Sequence, residues 1–187
     1  YRKKRLDTLK QWLLNPMSLK LPLYDPDALL VRWLPRLAWC MGRAGAALWL
    51  AVVVPALVLA AQHWNELTHD LSGRVLSASN LWVMAFVFPA VKLLHELGHG
   101  FATRAWGGAV HEMGLMFLVF APVPYVDASS ASAFPQKHRR AIVAAAGMLV
   151  EVFLAALALY VWLLTEPGMV RAIAFNVMLV GGFSTLL

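Results

Sequence analysis

Charge is scarce in this chain. Only 14% of its residues are charged, against about 25% in an ordinary soluble domain, which argues against a conventional water-soluble core. Cysteine is almost absent. Cys40 stands alone, so an internal disulfide and a cysteine-based zinc site are both excluded, and the residue reads as a small apolar one. Acidic residues number 10 against 16 Lys plus Arg. The bases are not interleaved with an exposed aromatic surface, which argues against nucleic-acid binding. No segment has the charged start and continuous apolar centre of a signal peptide. Nor is there the internal repeat that a transporter with a proton-relay His/Glu pair predicts.

What remains is apolar. Hydrophobic residues make up 60% of the chain, and the mean hydropathy is +0.65. These values predict an all-α polytopic membrane protein. Spans are expected at about 44–61, 81–106, 141–164 and from 170 onward, so about four transmembrane helices close to the ~20 residues a bilayer requires. Gly107-Gly108 stops the second span, and Thr165-Glu166-Pro167-Gly168 makes a tight turn before the fourth. Residues 62–80 read as a polar loop. Residues 114–126 are apolar but too short to cross, and Pro122 and Pro124 interrupt them. That length suggests a short re-entrant or β-strand element buried against protein between the second and third spans.

Two regions are expected. Residues 1–43 form a cytoplasmic or interfacial N-terminal region broken by Pro22, Pro26 and Pro35. Within it, Leu6, Leu9, Trp12 and Leu13 recur at helical spacing beside Arg and Lys. That pattern suits either an amphipathic segment on a membrane surface or a packed cytosolic helix. Residues 44–187 form the transmembrane domain. The chain opens at Tyr1 without an initiator Met and closes inside an apolar run, so a continuation past Leu187 is expected.

The basic residues set an orientation. Arg2, Lys3, Lys4 and Arg5 open the chain, Arg32, Arg36 and Arg43 precede the first span, and Lys137, Arg139 and Arg140 precede the third. Such clusters favour the cytoplasmic side and contact anionic lipids. The N-terminus is then cytoplasmic, the charge-balanced loop 62–80 lies outside, and the second span runs inward. Most of the tryptophans fall near span ends, as interfacial anchors do.

The second span carries the chemistry. Residues 95–99 read His95-Glu96-Leu97-Gly98-His99. Positions i and i+4 share a helix face, so both imidazoles can reach one metal ion. Glu96 can take a proton from an attacking water and deliver it to a leaving amine. Ionisable groups at membrane depth are expensive and mark function. The competing reading is a structural His/Glu polar network between helices. A catalytic zinc wants a third protein ligand. Asp127, His111, Glu112 and Glu151 are candidates, each also readable as a structural or substrate-positioning group. Glu151 in particular needs a partner or a proton in its apolar span. A ligand past Leu187 is the favoured expectation.

Four stretches together resemble the site-2 protease family of intramembrane zinc metalloproteases. They are Lys92-Leu-Leu-His95-Glu96-Leu97-Gly98-His99-Gly100, the turn Gly107-Gly108-Ala-Val-His-Glu-Met-Gly114, Pro122-Val-Pro-Tyr-Val-Asp-Ala-Ser129 and Ala146-Gly147-Met-Leu-Val-Glu151. The similarity spans roughly residues 80–187 and is strongest to the bacterial peptide zinc metalloprotease branch often found with HlyD-like export adaptors. The resemblance implies a three-helix core in the bacterial inner membrane that cuts membrane-embedded or membrane-delivered peptide segments. It implies Zn2+ held by His95, His99 and an Asp from an Asn-Pro…Asp-Gly stretch, expected just past Leu187. It implies a membrane-embedded strand where residues 110–119 stand, whose edge could pair with an extended substrate or, in a packed hairpin, merely shield the site. The family's Gly-Pro-x-x-Asn motif is matched here by Gly147 and Glu151, with Met148 in place of the proline. The alternative from another class is a non-proteolytic scaffold subunit of an export or assembly complex that keeps the fold.

Overall fold

The computed structural model describes residues 18–118 and 121–186. The stretch containing Leu6, Leu9, Trp12 and Leu13 lies outside them. Helices dominate, and three are long and apolar enough to cross a membrane. They are α2 (Arg43–Gln62), α5 (Ala78–Ala105) and α6 (Lys137–Leu164). They coincide with the first three spans expected from hydropathy. A fourth apolar helix, α7 (Met169–Leu186), begins where the fourth span was placed. Among the described residues, three helices reach the length and hydropathy of a membrane span.

These helices bury little of themselves. Large apolar side chains such as Leu57, Phe86 and Leu164 point outward, Phe86 with 74% of its surface exposed. A water-soluble monomer rarely shows apolar patches on this scale. What the helices do bury is small. Val53 and Ala56 of α2, Ala156, Leu159 and Trp162 of α6, and Ala174 and Phe175 of α7 form one core cluster. Alanine and glycine at the seams let the helix backbones approach, which favours association where apolar burial alone gives no advantage over lipid. Two side chains also tie α2 to α6: the Trp49 indole donates to the Leu149 carbonyl at 2.9 Å, and the Tyr160 hydroxyl donates to the Val52 carbonyl at 2.8 Å. At the start of α5, Asn80 and Asn176 of α7 exchange amide hydrogen bonds of 2.6 and 3.2 Å. Asn176 is fully buried, so this pair satisfies polar groups that would otherwise be stranded.

The expected polar loop is more ordered than its composition suggests. It holds two short helices, α3 (Trp64–Thr68) and α4 (Leu71–Leu76). The end of α5 follows its sequence signal closely. Gly107 adopts φ +83°, the left-handed conformation that suits glycine. Its N–H donates to Arg104, and the Gly108 N–H donates to Thr103. This is a Schellman cap, which satisfies the last helix carbonyls and reverses the chain.

The element between α5 and α6 is a β-hairpin, β2 (Met113–Leu118) and β3 (Ala121–Val126). The all-α expectation is thus corrected in one place, where a strand had been one of the two options. The sheet has a third member that the sequence did not signal. β1 (Ser18–Tyr24) pairs antiparallel with β2, giving the order β1-β2-β3. Pro22 interrupts β1's apolar run and hides it. Gly114 makes the pairing possible, since a Cβ there would collide with the Leu21 carbonyl. The helix after β1, α1 (Asp27–Leu37), buries Leu30 completely and sets it against Gly100 of α5. Asp27 accepts from the Val110 N–H at 3.3 Å and lies 3.5 Å from Arg104. The N-terminal region is therefore packed on the end of α5 that follows the His motif.

Candidate functional site

Lys92, His95, His99 and Thr103 recur every three or four residues along α5, and such residues share one helix face, with Glu96 beside it. Across from that face stands α6. The two helices are in close contact because Gly98 faces Ala146 and Val150, and Gly147 faces the imidazoles. A Cβ at 147 would lie 2.4 Å from His95 Nε2 and 2.5 Å from His99 Nε2. Glycine at that position leaves the space in which both rings sit.

The two Nε2 atoms are 3.0 Å apart, with the rings edge to face. The other nitrogen of each ring faces an oxygen of α6. His99 Nδ1 donates to the Val143 carbonyl at 2.6 Å. A carbonyl can only accept, so the proton resides on Nδ1 and Nε2 carries a lone pair. His95 Nδ1 lies 3.1 Å from Glu151 Oε1, an ion-pair distance, though its angle is too poor for a hydrogen bond. The carboxylate still favours a proton on that side of the ring. Two lone pairs facing each other at 3.0 Å repel unless a cation or a proton lies between them. The donor set suits zinc: neutral imidazoles converging through one nitrogen while the other is held by a carbonyl or carboxylate.

Glu151 is fully buried. Lys92 Nζ donates to its Oε1 at 2.9 Å, the same oxygen that faces His95. A lysine in an apolar span either tunes neighbouring charges or reaches for the interface, and Lys92 is read from the sequence as open between the two. The structure brings it to Glu151, one turn before His95. Among the described residues, Glu151 Oε2 has no hydrogen-bond partner. Glu96 points to the hairpin instead, and its Oε2 accepts from the Val126 N–H at 3.1 Å. The end of β3 and the motif are thereby fastened together. The Thr103 hydroxyl donates to the His99 carbonyl at 2.8 Å and is fully buried.

The other candidate ligands are held elsewhere. Asp127 is exposed, and its Oδ1 accepts from the Ser129 N–H in a tight turn. Hydrogen bonding to Ser129 holds its carboxyl below the ordinary value. Glu112 accepts from the Tyr125 hydroxyl at 2.6 Å. His111 lies 3.2 Å from Asp25 on the surface. Among the described residues, no group of three or more His, Cys, Asp or Glu side chains is gathered for a metal. His95, His99 and Glu151 are brought together, but Glu151 faces Nδ1 of His95, on the opposite side of the ring from the converging Nε2 atoms.

The hairpin refines the expected peptide-binding edge. β2 covers the residues expected to form that strand, and it is the central strand with both edges paired. The free edge on the site's side belongs to β3. Along a strand, N–H groups alternate between neighbours on either side. Val126 donates away from β2, to Glu96, while Asp127 donates to Glu112 of the preceding segment. By the same alternation, Pro122 and Pro124 occupy outward N–H positions, where a missing donor costs the sheet nothing. That edge presents carbonyls rather than N–H groups.

Val143, Thr103 and Val126 are the site residues that the sequence reading did not single out, while Gly147 and Glu151 were marked without their contacts to the imidazoles and Lys92. The Gly147-to-Glu151 motif was the one signal that could have found those contacts. Comparison with known protein families, curated proteins and solved structures finds no match for this chain.

Proposed function

We propose that this chain is an integral membrane zinc metalloprotease of the site-2 type, acting on peptide segments within or delivered to a bilayer. One observation carries the proposal: the Nε2 atoms of His95 and His99 converge at 3.0 Å, with His99 Nδ1 bonded to the Val143 carbonyl and His95 Nδ1 3.1 Å from Glu151. Glu96 stands one residue along, on a helix of membrane length. His95 and His99 would hold zinc, and bound zinc would polarise a scissile carbonyl and acidify a water. Glu151, itself paired with Lys92, orients His95, and the Val143 carbonyl orients His99. The Glu96 carboxylate takes the proton of the attacking water and passes it to the leaving amine. A helical substrate must unwind first, because a helix engages its own carbonyls. Carbonyls along the outer edge of β3 would then hold the extended peptide by accepting from its N–H groups. The third ligand that a catalytic zinc takes would, on the family resemblance, be an Asp past Leu187. The orientation implied by the basic residues puts the N-terminus in the cytoplasm, and a bacterial inner membrane is the compartment the family resemblance suggests. A HlyD-like adaptor is a partner that the resemblance suggests.

A second reading has its own support. Lys92, Glu151 and His95 satisfy one another, and a proton could bridge the imidazoles without a metal. The protein would then be a scaffold that keeps the fold. Zinc content of the purified protein separates the two. About one zinc per chain, lost in His95→Ala/His99→Ala, supports the protease. No zinc in either leaves the scaffold.

A further inference from the structure

Far from the His pair, the bundle ends in a cavity of about 760 Å³ where α5 and α7 begin and α6 finishes. His95 is 17 residues along α5 from Ala78, about 26 Å of helix rise. Two arginines line this cavity. The Arg74 guanidinium sits 3.9 Å over the Phe175 ring, and Arg171 sits 4.3 Å over Trp162. Stacking of this kind fixes a guanidinium plane and leaves N–H groups at its edge for an anion, although Arg74 Nη1 also donates to the Glu66 carbonyl at 3.4 Å. Among the described residues, neither forms an ion pair. Burial first, then the charge of Arg171, pulls Arg74 below its ordinary value, outweighing Asp70. Glu66 and His69 also line the cavity, with Ser77, Ser79 and Asn80.

Val83 and Met169 line this cavity and also a second one, a groove of about 480 Å³. The groove runs down the α5–α7 seam past Phe86, Ala90 and Ile173 to Leu94, and every residue lining it is apolar. From Trp82 to Leu94 the helix rises about 18 Å, close to one leaflet of a ~30 Å hydrocarbon core. A cationic head cavity opening into an apolar channel one leaflet deep matches one class of molecule in both halves.

We propose that the Arg74–Arg171 cavity and the α5–α7 groove together bind one anionic glycerophospholipid, its phosphate on the guanidiniums and one acyl chain along Phe86, Ala90 and Ile173. The inference rests on the membrane part of the function proposed above and not on its chemistry. Binding would brace the α5–α7 seam at the end opposite the His motif.

The test is native mass spectrometry of the purified protein, stripped of lipid in detergent and titrated with dioleoyl-phosphatidylglycerol or dioleoyl-phosphatidylcholine. One phosphatidylglycerol is expected to bind at least about tenfold more tightly than phosphatidylcholine, whose phosphate is the same but whose choline cation meets the two guanidiniums with like charge. Arg74→Gln/Arg171→Gln should abolish the preference. Ala90→Trp fills the groove with both arginines in place and should weaken retention of both lipids. Thermal unfolding and zinc content of each variant should stay near wild type, which separates failure here from failure of the metal site. If the double variant does not fold, Ala90→Trp and the single Arg171→Gln variant carry the test. Equal binding of the two lipids, or a preference that survives loss of both arginines, overturns the proposal. Full displacement by inorganic phosphate at the lipid's own concentration overturns it too, as does release of a bound transmembrane peptide by Ala90→Trp.

Discussion

Replacing Gly147 with alanine adds one methyl group at the most sensitive point of the site. The new Cβ would lie 2.4 Å from His95 Nε2 and 2.5 Å from His99 Nε2. Non-bonded heavy atoms settle at about 3.5–4.0 Å, so both rings must retreat by about 1 Å. The rings have little freedom, because His99 is held by the Val143 carbonyl and His95 faces Glu151. Helix propensity works in the opposite direction, since alanine in a helix interior is favoured over glycine by about 1 kcal/mol. Overpacking costs about 1–3 kcal/mol. Net stability should therefore fall by no more than about 2 kcal/mol, while zinc affinity falls about 10–100-fold, the loss typical when support of a metal-ligating His is disturbed. Chelator competition on the purified protein measures the affinity, and thermal unfolding in detergent measures the stability. Gly182→Ala is the control, because a Cβ there meets nothing within 4 Å. It should leave zinc untouched and gain about 1 kcal/mol. A Gly147→Ala protein that binds zinc as wild type does would refute the placement of these imidazoles.

Other outcomes follow from the same geometry. Glu96→Gln should keep its zinc and lower peptide cleavage by about 10²–10⁴-fold, read with a transmembrane peptide in vesicles; unchanged cleavage would remove Glu96 from the proton transfer. Glu151→Gln takes the charge from the buried carboxylate that faces both Lys92 and His95 and should destabilise by about 1–3 kcal/mol, whereas Lys92→Met/Glu151→Leu should come closer to neutral in the same unfolding assay. Asn176→Ala takes the donor from Asn80 Oδ1, whose Nδ2 keeps its bond to the Val75 carbonyl, and should cost about 1 kcal/mol, while Asn80→Leu/Asn176→Leu should come closer to neutral. Asp127→Ala should bind zinc with unchanged affinity, since its carboxylate serves the turn at Ser129; a loss of zinc would return Asp127 to the ligand set.

The parts legible in the sequence were those in which neighbouring residues carry the signal. Continuous apolar runs gave the three membrane-length helices, because a bilayer-scale helix needs only its own residues to declare it. The Gly107-Gly108 stop was equally local, and it became a Schellman cap. The strand option for 114–126 came from a run too short to cross. Missed features depend on distant partners. β1 is a strand only because β2 supplies its hydrogen bonds, and Pro22 disguises it. The two short helices at 64–76 sit in a segment whose polarity reads as loop. The α7 seam with α5 rests on Asn80 meeting Asn176 across 96 residues of chain.

At the site, the sequence by itself determined that His95 and His99 share a face with Glu96 between them, since helix periodicity fixes that spacing. It also determined that they lie in an apolar helix, where charge is costly. Only the tertiary structure decided which groups hold the rings. Glu151 and Val143 belong to α6, Val126 to the hairpin, and Gly147 makes the opening between them. These residues are separated from the motif by some 30 to 60 positions, and no local periodicity links them. Their meeting is a consequence of helix packing through small residues, which local pattern does not record.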